Sequence, residues 1–130
     1  MYRQKLTLQT SHGPHAIAIE VPETVAEQQT GLMFRQSLPE NTGMLFLYAA
    51  SQEVTMWMKD TGLSLDMVFI RADGQVHRIE PHVEPMSERI IASRGAVVAV
   101  LELAAGSAKR LGLKVGDRVE LPQIATRGRR

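Results

Sequence analysis

Leu65-Asp66-Met67-Val68-Phe69-Ile70-Arg71-Ala72-Asp73-Gly74-Gln75-Val76-His77-Arg78-Ile79 is the stretch that decides the fold. It opens with a β-prone apolar run, breaks at Asp73-Gly74, and resumes with apolar residues. Asp-Gly between two such runs is a strong short-range hairpin signal. Read as a two-residue loop, it sets Ile70 opposite His77, Val68 opposite Ile79 and Asp66 opposite Pro81. Asp66 then lies at the open end of the hairpin, on the sheet face that carries His77 and Ile79.

Working outward, Glu53 to Lys59 alternates as a further strand. Val54, Met56 and Met58 share one face; Glu53, Thr55, Trp57 and Lys59 share the other. The sole tryptophan therefore sits out of phase with the apolar set. Asp60 to Ser64 is a turn. Met44 to Tyr48 is a short, nearly continuous apolar run, expected as a buried strand. Lys5–Thr10 and Ala16–Val21 alternate around the turn Ser11-His12-Gly13-Pro14 and predict an amino-terminal hairpin. Thr24-Val25-Ala26-Glu27 is a capping box, which predicts a helix from Val25 to about Thr30. Gly31 either ends that helix or packs closely.

Downstream, Pro81, Pro85 and the polar run Glu84–Arg89 suit a connection better than a central strand. Ala96 to Leu103 is apolar on both faces and reads as a central strand: Val97, Ala99, Leu101 and Leu103 on one side, Val98, Val100 and Glu102 on the other. Ser107 is the expected N-cap of a short helix, Ala108–Leu111, with Gly112 behind it. A final strand ends at Leu121. About eight short strands and two short helices predict a mostly β, α+β domain: an antiparallel barrel or sandwich.

The chain has 130 residues, 44% of them hydrophobic, which suits one domain with a real core. That domain is expected over residues 1–122, with 123–130 as a disordered basic tail. The net charge is +1, but Arg127, Arg129 and Arg130 crowd the end; 15 basic residues less these three leave 12 against 14 acidic. A domain of that balance is not a nucleic-acid binder. Without cysteine there are no disulfides, thiolate metal sites or cysteine nucleophiles. No apolar run approaches the roughly 18 residues of a membrane span.

Three groups of residues invite a chemical reading. Trp57 with Thr55 and Lys59 is the first: an aromatic face stacks on sugar rings and bases and attracts cations. Lys59 would hold an anionic group, and Asp60 or Asp66 would accept from hydroxyls. The competing reading has Trp57 covering one end of the sheet, with Lys59 lying over it. Asp66 and Glu102 are the second group, each a carboxyl in an otherwise apolar strand. A buried carboxyl needs a partner, and a raised pKa suits a general acid. The alternative is that both bond to backbone amides or to an arginine such as Arg35. The third group is Met33, Met44, Met56, Met58, Met67 and Met86. Thioethers suit Cu(I), but methionine is also a routine core filler. The histidines lack zinc spacing, and no metal or cofactor is expected.

Several blocks together resemble one family, the small prokaryotic domain of unknown function numbered 192. They are Glu27-Gln28-Gln29-Thr30-Gly31-Leu32-Met33-Phe34-Arg35, Gly43-Met44-Leu45-Phe46, Trp57-Met58-Lys59-Asp60-Thr61, Leu65-Asp66-Met67-Val68-Phe69-Ile70 and Val100-Leu101-Glu102-Leu103-Ala104-Ala105-Gly106, with Gly112 to Asp117 behind. The match runs from about Thr24 to Leu121. The family pattern usually has asparagine where Asp60 stands and often proline where Ser64 stands. The resemblance implies a compact β-rich domain. Many members carry a leader, so it also implies an exported, periplasmic protein with that leader removed.

The leading expectation for function is a non-catalytic domain that binds a small polar ligand, such as a saccharide, through Trp57, Lys59, Asp66, Thr55 and Arg35. Its rivals are an acid/base hydrolase using Asp66 and Glu102, and a protein-interaction module centred on Trp57. The sequence leaves the ligand and the oligomeric state open.

Overall fold

In a computed structural model of the chain, the described residues are 1–122. The basic tail expected over 123–130 lies outside them. The elements run β1 (Tyr2–Thr10), β2 (Gly13–Val21), α1 (Val25–Thr30), β3 (Thr42–Gln52), β4 (Thr55–Met56), β5 (Leu65–Ile70), β6 (Val76–Val83), β7 (Ile91–Ala92), β8 (Val97–Ala104), α2 (Ser107–Leu111) and β9 (Arg118–Glu120). Seven strands form one sheet in the order β6-β5-β8-β3-β2-β1-β9, and β4 pairs with β7 in a small ribbon. Every pairing is antiparallel except β2 with β3, which is parallel over three residue pairs. The two sheet edges draw together at one end. There Val76 N–H donates to Asp117 O at 2.7 Å and Val119 N–H to Gly74 O at 2.7 Å. The ladder does not close along its length among the described residues, so the fold is an open, barrel-like sheet.

Strands β5 and β8 are buried on both faces, whereas β1 and β2 expose part of their outer face. On the concave side Leu6, Leu8, Ile17, Ile19, Leu45, Val68, Leu101 and Leu103 join the apolar residues of α2 and β9 in one core. On the other side Met44, Phe46, Leu65, Met67, Phe69 and Val100 pack under Leu32, Val54, Met58 and Ile91 from the loops that cross over them. Strands β5 and β8 contribute to both cores. This is why they read as apolar on both faces, and fully burying each such side chain contributes about 1.5–3 kcal/mol. Val97 and Val98 exchange the sides expected of them, where the β3–β8 register shifts between Leu47 and Gln52.

The Asp-Gly hairpin forms, with a different turn. Gly74 N–H donates to Arg71 O and Arg71 N–H to Gln75 O, both at 2.9 Å. The loop therefore has three residues, with Gly74 at φ 85°, a conformation that suits glycine. Ile70 consequently pairs with Val76, not His77, and a bulge restores Val68 opposite Ile79 as expected. A second shift puts Leu65 opposite Val83, so Asp66 has no partner at Pro81. Pro81 lies in β6, an edge strand of the sheet, where a missing donor is tolerated.

Helix α1 keeps the bounds its capping box predicts. Thr24 Oγ1 accepts from Glu27 N–H at 3.0 Å, and Glu27 Oε1 accepts from Thr24 N–H at 3.2 Å. Gly31 does both things expected of it. Its N–H donates to Glu27 O at 2.9 Å, and it lies so close to Phe46 that a Cβ would stand 3.2 Å from the ring. Helix α2 begins one residue earlier than expected. Its N-cap is Gly106, and no cap bond comes from Ser107.

Candidate functional site

The expected strand from Glu53 to Lys59 shrinks to Thr55–Met56, yet its alternation survives in burial. Val54 and Met58 are buried, whereas Thr55, Trp57 and Lys59 are exposed. The segment is pinned to the 87–95 loop. Val54 N–H donates to Ser93 Oγ at 3.0 Å, and Met58 N–H donates to Ser87 O at 2.9 Å. It then turns at Asp60, whose φ is 55°. Asn and Asp are the non-glycine residues that best tolerate this left-handed conformation. A short polar residue at position 60 thus has a backbone reason, and the exchange of asparagine for aspartate keeps the turn. Phe34 N–H donates to Asp60 O at 2.9 Å and ties the loop after α1 to the same turn.

Between α1 and this turn lies a cleft of about 810 Å³. Gln28, Gln29 and Gly31 form one wall; Thr55, Trp57, Lys59 and Asp60 form the other. Phe46, Tyr48, Leu65 and Glu102 lie between them along the sheet. Trp57 is 42% exposed. The Lys59 ammonium stands 5.3 Å from the centre of its ring, within cation–π range. Gln28 is anchored by its Nε2 on Leu47 O at 3.2 Å, and the Tyr48 hydroxyl has a weak contact with Met56 Sδ at 3.8 Å.

Glu102 is the chemically unusual group in the cleft. It sits on β8 between Met44 of β3 and Met67 of β5, and is 4% exposed. Among the described residues it has no hydrogen-bond or ion-pair partner, and burial pushes its carboxyl up to about 8. At neutral pH it is therefore mostly a neutral acid. Burial, and secondly the charge of Glu102, push the Tyr48 phenol up to about 12, so it stays a donor.

Asp66 does not join this site. It alternates with Met67, so it faces the α2 side of the sheet while Glu102 faces the cleft. It is fully buried. Its Oδ1 accepts from His82 N–H at 3.0 Å and Gly106 N–H at 3.2 Å, and its Oδ2 from Ala108 N–H at 2.9 Å. It does for α2 what Ser107 was expected to do, from a strand about 40 residues away in sequence. The hydrolase pair of Asp66 and Glu102 is thus split by the sheet. Arg35 is also elsewhere. It grips both Glu20 oxygens, at 2.7 and 3.1 Å, beside a second groove of about 470 Å³, and its hydrogen bonds hold the Glu20 carboxyl below the usual range.

The structure thus brings Trp57, Lys59, Thr55 and Glu102 to one cleft and leaves Asp66 and Arg35 outside it. Sequence reasoning missed Tyr48, Phe46 and the glutamines of α1. The apolar run ending at Tyr48 signalled only burial. The methionines are mostly core: Met44, Met58 and Met67 are fully buried, and Met56 packs against them.

Fold and site together define a small β domain, built on one seven-stranded sheet and a two-stranded ribbon, with a cleft on one face. The chain belongs to the DUF192 family, described as an uncharacterized ACR, whose model matches residues 6–121. The match includes the β1–β2 hairpin and so begins well before Thr24. A crystal structure of a Sinorhizobium meliloti protein described as a candidate transcription regulator is similar, with 42% identity and a TM-score of 0.88, covering 92% of this chain and 93% of that one. A Novosphingobium aromaticivorans protein of unknown function is similar with 38% identity and a TM-score of 0.88, covering 92% of this chain and 85% of that one. No match to the chain was found among curated proteins.

Proposed function

We propose that the protein binds a small polar ligand, of the size of a saccharide, in the cleft between α1 and Trp57. One observation carries the reading: an exposed tryptophan, with its own cation over the ring, borders a cleft that also holds a buried carboxyl lacking a partner. Aromatic faces and convergent polar groups in an apolar hollow are the usual makings of a small-molecule site. A ring stacked on Trp57 displaces the Lys59 ammonium, whose flexible stem then brings it to the ligand's oxygens. Thr55 and the α1 glutamines offer further hydrogen bonds.

An acid/base hydrolase has less support. It needs two carboxyls on one bond, and Asp66 lies on the other side of the sheet.

Trp57 is the chain's sole tryptophan, so its emission reports directly on the cleft. Titration with mono- and disaccharides is expected to shift that emission and raise the thermal midpoint. Trp57→Ala should abolish the thermal shift without unfolding the protein. An unmoved emission and midpoint across the whole set would count against the proposal.

A further inference from the structure

We propose that the ligand of this cleft carries a protonated amine and seats that nitrogen on the Glu102 carboxyl. The inference rests on the reading of the cleft as a ligand site and adds the ligand's chemical class.

Glu102 is buried, open to the cleft, and without a partner among the described residues. Three other buried polar residues find their partners within the chain. Thr61 donates to Lys59 O, Ser93 to Gly95 O, and Asp66 accepts three N–H groups. With no protein partner among the described residues and its carboxyl open to the cleft, the group is free to take an approaching ammonium, which lets it ionise against an opposite charge. Lys59 does not serve this role, because its ammonium stands over Trp57. That contact also shows that the ring face accepts a cation. Lys59 and Asp60 offset each other at the lip, so Glu102 sets the charge of the cleft once it ionises. Phe46, Met58 and Leu65 give an apolar wall for the carbon skeleton of an amine. A metal cation fits poorly: hard cations want several oxygens, and no group of three His, Asp or Glu suited to a metal gathers among the described residues.

Seating an amine on Glu102 moves a proton. The acid is mostly neutral at pH 7 and becomes the carboxylate of an ion pair, so its proton leaves to buffer. The other titratable groups facing the cleft are Tyr48 from β3 and Lys59 and Asp60 from the turn after β4. Strands β3 and β5 flank Glu102 with Met44 and Met67, and α1 presents glutamines.

The test compares four probes by Trp57 emission: n-butylamine, D-glucosamine, N-acetyl-D-glucosamine and D-glucose. The two amines are expected to bind about tenfold or more tightly than the two neutral sugars. Glu102→Gln should erase that preference. Calorimetry of the unaltered protein at pH 7, in two buffers of different ionisation enthalpy, should show release of about one proton per amine bound. That arm needs no variant and stands even if Glu102→Gln folds poorly. If the neutral sugars bind as tightly as the amines and no proton is released, the cleft reading survives and the amine inference is overturned. If sugars of the wider set bind but neither amine does, the outcome is the same. If nothing in either set moves Trp57, both readings fall.

Discussion

Asp66 and Glu102 are two carboxyls on neighbouring strands, one residue out of step across the β5–β8 ladder, and both are buried. Their surroundings are opposite. Asp66 receives three backbone N–H groups and fastens β6, the β8–α2 turn and α2 to the sheet. Glu102 receives none among the described residues and looks into the cleft. Identical chemistry in the sequence thus splits into a joint and a vacant acceptor. The split is set by which face of the sheet each side chain points to. A buried acid is informative about function only after its partners have been counted.

The comparison can be broken most forcefully at Asp66. Asp66→Ala leaves three N–H groups without their acceptor and is expected to cost about 4 kcal/mol. Urea denaturation measures it. A loss below about 1 kcal/mol would mean that water replaces the carboxyl and that the joint is weak. The next effect is a pH dependence at Glu102. Its folded pKa, about 8, lies above the ordinary 4.5. Its contribution is therefore fully present below about pH 4.5 and is lost as the pH rises towards and through 8. Glu102→Gln has no such proton to lose. The variant should gain on the unaltered protein by about 3 kcal/mol between pH 5 and pH 7.5. Parallel stability curves would show that the acid is not held neutral. The smallest effect is expected at the cleft wall. Gly31→Ala places a Cβ 3.2 Å from the Phe46 ring at a φ of 49°. It should cost about 1–2 kcal/mol and shift Trp57 emission as α1 moves. An unchanged midpoint would show that α1 adjusts freely.

What the sequence disclosed, and what it hid, follows the same division between local and distant causes. The capping box fixed α1 because its bonds span three residues. Apolar residues on both faces of Val97–Leu103 marked a central strand, and alternation placed Trp57 outside the core even though the strand around it nearly vanished. Glu102 stood out as a carboxyl in an apolar run. That Asp66 bonds to backbone amides was one of the readings its sequence offered; which amides was hidden, because His82, Gly106 and Ala108 meet β5 only in the folded chain. The same distance misled the reading of Ser107 as an N-cap. The hairpin register failed by one residue because Asp-Gly suits both a two-residue loop and the three-residue loop with Gly74 in the left-handed region. The parallel β2–β3 pair left no mark in either strand. The family pattern, by contrast, covered the cleft segments that single-residue reasoning treated separately.

The pairing of β1 with β9, through Leu8 and Val119, has a consequence for how the molecule comes into being. The first strand emerges from the ribosome long before its outer neighbour exists. At ordinary synthesis rates, on the order of ten seconds separate the two. Throughout that interval the β1–β2 hairpin presents a bare strand edge, a template on which another chain can pair. The nascent protein therefore passes through a sticky infancy that the finished fold ends in part: β9, only three residues long, covers β1 at Thr7, Leu8 and Gln9.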